Sequence, residues 1–408
     1  MQVSTGRKPR KLVITGATGF IGSMLVPRLA EAGHTLLLVG REKASVIERF
    51  PSIRACEYAE LKELAAGYDA IIHLAVANND ADRSEQEFLE VNGRFIGEVA
   101  KAARAAGIPD FVNISSFHAL DERNTSAYAR SKRMGVETLR GVSGIRSHTI
   151  YLPAVYGDTY AGKLAVLNGL PGPIARIVFE IVSALKPVAD ISLLSGLVDR
   201  ADWSDTQGDD LLLSDDKDKN FVYVLFRWSL DHGFALVAIM LMVLAYLPVS
   251  ALVRLDSKGP VIFKQERVGR DGRIFRCLKF RTMREDTVQA ATHQVSADNV
   301  TAVGRVLRKT KMDEFPQALN IIRQEMSLIG PRPCLPSQEE LIEARQKKGV
   351  LRVKPGVTGL AQVLGVDMSD PEKLARIDAR YIAMRSVLLD LKILLQTARG
   401  QGGGDRVR

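Results

Sequence analysis

Cysteine is scarce: Cys56, Cys277 and Cys334 are the three in 408 residues. They lie far apart, form no C-x-x-C pair and have no histidine cluster at metal-ligand spacing. A disulfide framework and a structural zinc site are therefore excluded, and a reducing cytoplasm fits. Aromatic residues are also few, at 6%, and nowhere cluster as base stacking requires, so nucleic acid is not an expected partner. The N-terminus has no signal-peptide pattern; it opens polar and basic and passes straight into KLVIT. No internal repeat is present. Charge excess is missing from one half of the chain. Residues 1–220 balance to −2, while residues 221–408 carry +11 of the overall +9. The basic half suits phosphates or anionic lipid headgroups.

What is present is an ordinary folded composition, 46% hydrophobic and 25% charged, in a chain long enough for about two or three domains. Short apolar runs at 11–15 (KLVIT), Thr35–Val39, Asp69–Ala75 and Asp110–Ile114 read as strands. Helical spacing occupies Ile21–Ala32 and Val91–Ala106 between them. Strands alternating with helices predict an α/β fold with a doubly wound parallel sheet. Residues 199–218 then hold eight aspartates around Leu211–Leu213. They read as the end of the first domain and a solvated connection. The expected domains are 10–218 and 219–400, followed by a glycine-rich disordered tail at 401–408.

The first run leads into TGATGFIG, in which Gly16, Gly19 and Gly22 fall between a strand and a helix. Glycine lets the backbone approach a pyrophosphate, and the helix N-terminus favours its charge. Gly16, Thr18, Gly19, Phe20, Ile21 and Gly22 are the expected cofactor-binding turn. Arg41 follows the second strand, where an acidic residue commonly marks NAD; an arginine there accommodates the 2′-phosphate of NADP. Tyr128 and Lys132, in YARSK, share a helix face at i, i+4. An ammonium beside a phenol lowers the phenol pKa, and such a tyrosine can pass a proton while hydride moves. Ser116, at the end of a strand, can bond the same oxygen.

On these motifs, residues 10 to about 218 resemble an extended short-chain dehydrogenase/reductase of the sugar-nucleotide epimerase group. The resemblance implies a Rossmann fold, NAD or NADP, a UDP-sugar and a catalytic set of Ser116, Tyr128 and Lys132, with Tyr128 and Lys132 also at the cofactor. The segment after Val155-Tyr156-Gly157 is shorter than that family's usual sugar pocket.

One long apolar run, Phe234–Val253, has no charge and the length of a membrane helix, expected over about 227–255. It contains Pro248, which removes a helix hydrogen bond and bends the axis. A bend favours a re-entrant helix with both ends on the cytoplasmic side; a straight span and a buried core helix are the alternatives. Beyond it, GPVIFKQERVGRDG and RCLKFRTM alternate apolar and cationic positions. Lys264, Arg267, Lys279 and Arg281 there, and Arg332 in GPRP, suit a substrate diphosphate. Asp313 and Glu314 are adjacent in KMDEFPQ. Two neighbouring carboxylates near cations can bind Mg²⁺, and a carboxylate can attack phosphorus.

These segments, from about Phe226 to Gly400, resemble the bacterial sugar transferases, or monotopic phosphoglycosyl transferases. The resemblance implies a re-entrant membrane helix, a compact, mostly helical α+β domain, Mg²⁺ at Asp313 and Glu314, a UDP-sugar donor and a polyprenol phosphate acceptor. It places Asp313 as nucleophile and Glu314 as its partner; Phe315 stands where leucine is more common. The whole chain then reads as a bifunctional enzyme of surface-glycan biosynthesis on the cytoplasmic face of a bacterial inner membrane. A lipid bilayer is its expected partner, and a homodimer is left open. Two other readings stand beside it: a non-catalytic, cofactor-binding regulatory first domain, and a non-enzymatic membrane scaffold. The last helical stretch, Pro371–Ala398, spaces Leu374, Ile377, Tyr381, Met384, Leu388, Leu391 and Leu395 along one face, for the membrane or for the core.

Overall fold

The structure, a computed structural model, describes residues 9–77, 84–201, 203, 210–284 and 299–401. Residues 204–209 of the acidic stretch and the tail from 402 onward lie outside the described residues. The chain divides into two compact units, Met1–Phe179 with Pro187–Asp215, and Glu180–Lys186 with Asp216–Arg408.

The first unit is built on strands β1 (Lys11–Thr15), β2 (Thr35–Gly40), β3 (Arg54–Glu57), β4 (Ala70–His73), β5 (Asp110–Ser116) and β6 (Arg146–Leu152). Two short strands, β7 (Ala154–Tyr156) and β8 (Val188–Asp190), pair with each other, and β9 (Asp210–Leu212) closes the main sheet. That sheet runs β3-β2-β1-β4-β5-β6-β9, all parallel. Its strands are buried on both faces, which is why they read as unbroken apolar runs. Alternate residues of β1 face opposite cores. Leu12 and Ile14 pack with Leu25 and Leu29 of helix Phe20–Glu31, whereas Val13 packs with Val99 and Ala103 of helix Phe95–Ala105. The strand order reverses between β1 and β4, and such a switch point opens a crevice at the carboxyl ends of the strands.

The described part of the acidic stretch from Asp210 onward is built into the first unit rather than being a solvated connection. Asp210–Leu212 pairs with Thr149–Tyr151, and Leu211 and Leu213 pack against the core. The cause is the apolar leucine run, which covers what would be an open sheet edge. Asp215 accepts hydrogen bonds from the Tyr156 hydroxyl (2.7 Å) and the Asp190 N–H (2.9 Å).

The second unit is organised along one helix, Phe221–Asp256, capped by the Asn220 side chain at the Tyr223 N–H and continuing through Pro248. It is long and apolar enough to cross a membrane. Both of its ends are tied to the same unit. At the start, Tyr223 donates to Asp390 (2.8 Å), Arg227 donates to Asp390 (3.0 Å) and to the Ile329 carbonyl (2.6 Å), and Asp231 accepts from the Leu328 N–H (2.8 Å). At the finish, Asp256 accepts from the Val303 N–H (2.7 Å) and Arg281 donates to the Ser257 carbonyl (2.6 Å). One stripe is buried: Ala235 and Ala238 against Cys277 and Ile321, then Val249 and Val253 against Phe280 and Leu307. The opposite face exposes Leu236, Val237, Met240, Val243, Leu244 and Leu247.

A hairpin of β10 (Ile262–Val268) and β11 (Ile274–Phe280) packs beside that helix, and β12 (Ser327–Ile329) pairs in parallel with β13 (Gly356–Thr358). The last stretch is two helices rather than one, Pro371–Met384 and Val387–Ala398. Ser386 is extended and caps the second helix at the Leu389 N–H, competing with helix continuation. Leu374, Ile377 and Tyr381 are buried in the first helix, while Leu388, Leu391 and Leu395 are exposed in the second. The core reading thus holds for the first helix, while these leucines of the second helix are exposed.

Arg345 and Asp378 form a buried ion pair at 2.7 Å. Asp378→Asn strands the guanidinium without a countercharge and is expected to cost about 3–5 kcal/mol. The check is thermal unfolding in detergent. The double change Arg345→Met with Asp378→Leu is expected to unfold at a higher temperature than Asp378→Asn alone; the reverse order would refute the assignment.

Candidate active sites

In the first unit, β1 ends at Thr15 and turns into helix Phe20–Glu31 through Gly16 and Gly19. Gly16 has φ +69°, and a Cβ there would lie 2.6 Å from the Ala75 nitrogen. At Gly22 a Cβ would lie 2.6 Å from the Ala17 oxygen, so helix and turn meet only without a side chain. The Gly19 N–H closes the turn on the Gly16 carbonyl at 3.1 Å. Thr18, Phe20 and Ile21 follow the same turn. Arg41 is exposed just past the end of β2.

Beneath the turn, the Thr15 hydroxyl is hydrogen-bonded to His73 Nδ1 (2.9 Å). Burial, with the charge of Lys132, pushes the His73 pKa down to about 3, so the imidazole is neutral. Tyr128 and Lys132 lie on helix Ala127–Arg140, with the Lys132 ammonium 6.0 Å from the Tyr128 ring centre. Lys132 is buried, and desolvation lowers its pKa to about 7. It can therefore gain or lose a proton near neutrality. Ser116 ends β5 half-exposed, its hydroxyl accepting from the His118 N–H (3.3 Å). Ser115 is buried instead.

One residue here had no sequence signal. Asn92 is buried in a π-helical segment, Leu89–Arg94. It accepts from the Ala77 N–H (2.8 Å) and donates to the Ala77 carbonyl and the Ser131 hydroxyl (3.2 Å each). It thereby joins the segment after β4 to the helix that carries Tyr128 and Lys132.

In the second unit, Asp313 and Glu314 lie on a one-turn 3₁₀ segment, Met312–Glu314, between helices Ala302–Thr310 and Gln317–Ile322. The reversal is made at Lys311, in the left-handed region at φ +58°. Asn320 is fully buried and locks this turn to β11. It accepts from the Leu278 N–H (3.0 Å) and donates to the Arg276 carbonyl (2.8 Å). Lys279 is thereby placed 3.2 Å from the Glu314 carboxylate.

The two carboxylates are shifted in opposite directions. Burial raises Asp313 to about 6 against the pull of Lys279 and Arg308, with Glu314 adding to the rise. Burial opposes ionisation of Glu314 too, but Lys279 and Arg332 hold it below the ordinary range. Arg308 is a contributor that sequence reasoning missed; its Nε donates to Thr282 Oγ1 at 3.0 Å and its charge reaches Asp313. Its only signal was a run of cations on helix Ala302–Thr310.

Of the cations expected at a diphosphate, Lys279 and Arg332 act electrostatically on Glu314. Arg267 borders Arg332, but its guanidinium is committed to Gln265 and, at 2.9 Å, to the Pro333 carbonyl. Arg281 bonds the Val253 and Ser257 carbonyls at the end of the long helix. Lys264 is exposed on β10. Arg345 bonds the Arg332 carbonyl at 2.8 Å and Arg267 bonds the carbonyl of the next residue, so the GPRP turn is held on two sides.

Among the described residues, no three His, Cys, Asp or Glu side chains gather as a metal cage. Asp313 and Glu314 offer two carboxylates. That donor set fits Mg²⁺, which takes one or two carboxylates and completes its shell with phosphate oxygens and water.

The family profile described as bacterial sugar transferase matches residues 222–401, and that of the NAD dependent epimerase/dehydratase family matches residues 12–203. Exopolysaccharide production protein ExoY of Rhizobium meliloti is 38% identical over 187 residues, 41% of this chain and 82% of its own. A UDP-glucose:undecaprenyl-phosphate glucose-1-phosphate transferase of Caulobacter vibrioides is 43% identical over 156 residues, 36% of this chain and 58% of its own. Galactosyl transferase CpsE of Streptococcus agalactiae is 34% identical over 193 residues, 44% of this chain and 42% of its own. The chain thus spans most of ExoY but less than half of CpsE. A solved structure of the Bordetella bronchiseptica enzyme WbmH in complex with NAD+ is 20% identical, with a TM-score of 0.39, covering 50% of this chain and 76% of that one.

Gly22→Ala forces a methyl against the Ala17 carbonyl and is expected to open the turn. Titration of the purified variant with NADH and NADPH should show at least about a tenfold loss of affinity, which is about 1.4 kcal/mol. Unchanged binding would show that the turn does not seat the pyrophosphate.

Proposed function

Because the chain belongs, through residues 222–401, to the bacterial sugar transferase family, we propose that its second unit transfers sugar-1-phosphate from a UDP-sugar to a polyprenol phosphate and releases UMP. The observation that carries this reading is the buried Asp313 beside the half-buried Glu314, with the charges of Lys279, Arg308 and Arg332 acting on them. Both substrates are the ones named for the Caulobacter relative, with undecaprenyl phosphate as the polyprenol phosphate.

The chemistry runs in two displacements at phosphorus. An Asp313 carboxylate oxygen bonds to the sugar-bearing phosphorus of the donor, the bridging P–O bond breaks, and its electron pair leaves on UMP. A phosphate oxygen of the lipid then bonds to the same phosphorus. The acyl-phosphate bond breaks, the carboxylate returns, and a polyprenyl diphosphate sugar departs. Lys279, Arg308 and Arg332 neutralise the charge spread over the phosphoryl oxygens. Glu314 stays ionised and orients Lys279 through their hydrogen bond. Asp313 and Glu314 would hold Mg²⁺ together with the diphosphate oxygens, which supplies further positive charge to the leaving group.

The long helix is read as monotopic, entering the bilayer with both ends on the cytoplasmic face of the inner membrane. Support comes from its anchoring to one unit at Arg227 and again at Asp256. Its free face carries only apolar side chains between Leu236 and Leu247.

For the first unit, a domain of the NAD dependent epimerase/dehydratase family, the reading is conversion of a nucleotide-sugar. Tyr128 exchanges the proton, Lys132 sustains it and Ser116 bonds the sugar oxygen. Arg41 suits the 2′-phosphate of NADP. Joining the two activities raises the local concentration of one site's product at the other.

Asp313→Asn keeps the shape and loses the nucleophile. UMP release is expected to fall at least about a thousandfold, or ~4 kcal/mol in the barrier. Tyr128→Phe should leave UMP release intact and abolish sugar-dependent NADPH oxidation. Normal UMP release from Asp313→Asn would refute the transferase assignment.

A further inference from the structure

Helix Gly172–Leu185 exposes Ile174, Ile177, Ile181 and Leu185, with Ile177 at 63% and Ile181 at 45% of full exposure. Their spacing of three, four and four residues puts all of them on one face. Single exposed apolar side chains are ordinary, but a continuous stripe marks a contact surface. On the inward side Ser183 and Ala184 are buried.

The end of this helix is fastened to the start of the long apolar helix. Asn220, the cap residue of the latter, donates to the Glu180 carbonyl and the Ser183 hydroxyl at 2.9 Å each. The buried Lys217 ammonium donates to the Ser183 carbonyl and to the Lys186 carbonyl (3.0 Å). The next residue is Phe221, 72% exposed, followed by exposed Val224, Leu225 and Trp228. The C-terminal end of helix Gly172–Leu185 is therefore held at the start of the helix read as entering the membrane. Arg176 and Lys186 are exposed as well, on the side of this helix turned away from the stripe. An apolar face opposed by a cationic one is the pattern of a helix lying in a bilayer interface.

We propose that helix Gly172–Leu185 is a second membrane contact, lying in the interface with Ile174, Ile177, Ile181 and Leu185 turned into the acyl boundary. The occupant is a phospholipid bilayer bearing anionic headgroups. The inference rests on the membrane reading of helix Phe221–Asp256 and extends it to residues ahead of the transferase domain. The contact holds the junction of the chain, from Glu180 to Trp228, at the bilayer surface.

Cys56, Cys277 and Cys334 are buried, so a single introduced surface cysteine can be labelled selectively in the full chain. Nitroxide labels at Ile177→Cys, Ile181→Cys, Leu244→Cys and Glu98→Cys are compared in vesicles of phosphatidylethanolamine and phosphatidylglycerol. Collisions with oxygen report lipid, and collisions with a nickel chelate report water. The expected result is oxygen preference at 177, 181 and 244, with nickel preference at 98. Nickel preference at 177 and 181, with 244 still in lipid, overturns the proposal and leaves the membrane reading standing. Labels at 177 and 181 shielded from both reagents mean a protein partner or a second copy, which overturns it as well. Nickel preference at 244 removes the membrane reading and the proposal with it.

Discussion

A buried carboxylate next to an ionised one needs cations close by, and that constraint shapes the second unit. Burial drives Asp313 up to about 6, whereas Lys279 and Arg332 keep Glu314 low. The pair is thus split into one group held towards its ionised form and one poised nearer neutrality, the kind of separation that assigns different roles to like residues. The surrounding architecture holds the cations where the split requires them. Asn320 pins β11 and with it Lys279, while Arg345 and Arg267 pin the turn that bears Arg332. The left-handed Lys311 makes the reversal that presents Asp313 and Glu314 together.

The same unit fixes the long apolar helix at both ends, through the Arg227–Asp390 pair and through Asp256. A buried pair of this kind adds little net stability, but losing one partner is costly, so it enforces one placement of the helix against β12. β12 leads directly into Gly330 and Arg332. The placement of the helix and the position of Arg332 are in this way linked through the backbone.

Much of this was legible in the sequence because it is local. Apolar runs gave the strands of the parallel sheet, the glycine spacing gave the turn at Gly16, and Tyr128 with Lys132 needed only a helix. Asp313 and Glu314 were visible for the same reason. What was not legible depends on partners distant in sequence. An arginine that binds a phosphate and one that binds backbone carbonyls look alike in sequence: Arg267 donates to Gln265 and the Pro333 carbonyl, and one Arg281 nitrogen donates to the Val253 and Ser257 carbonyls. Arg308 acquires its meaning only when its helix is folded back over Asp313. Asn92 works from a π-helical segment that no periodicity announces. Ser386 broke a continuous apolar pattern because its hydroxyl offered the backbone a competing bond.

The central claim is that Asp313 forms a covalent bond to phosphorus. Incubating the full protein in detergent with a UDP-sugar and Mg²⁺, without acceptor lipid, and measuring its intact mass tests that claim directly. The account predicts a gain of one sugar phosphate, carried on the peptide containing Asp313, lost on addition of undecaprenyl phosphate and absent in Asp313→Asn. Turnover with both substrates but no adduct without acceptor, or an adduct on another residue, would contradict it.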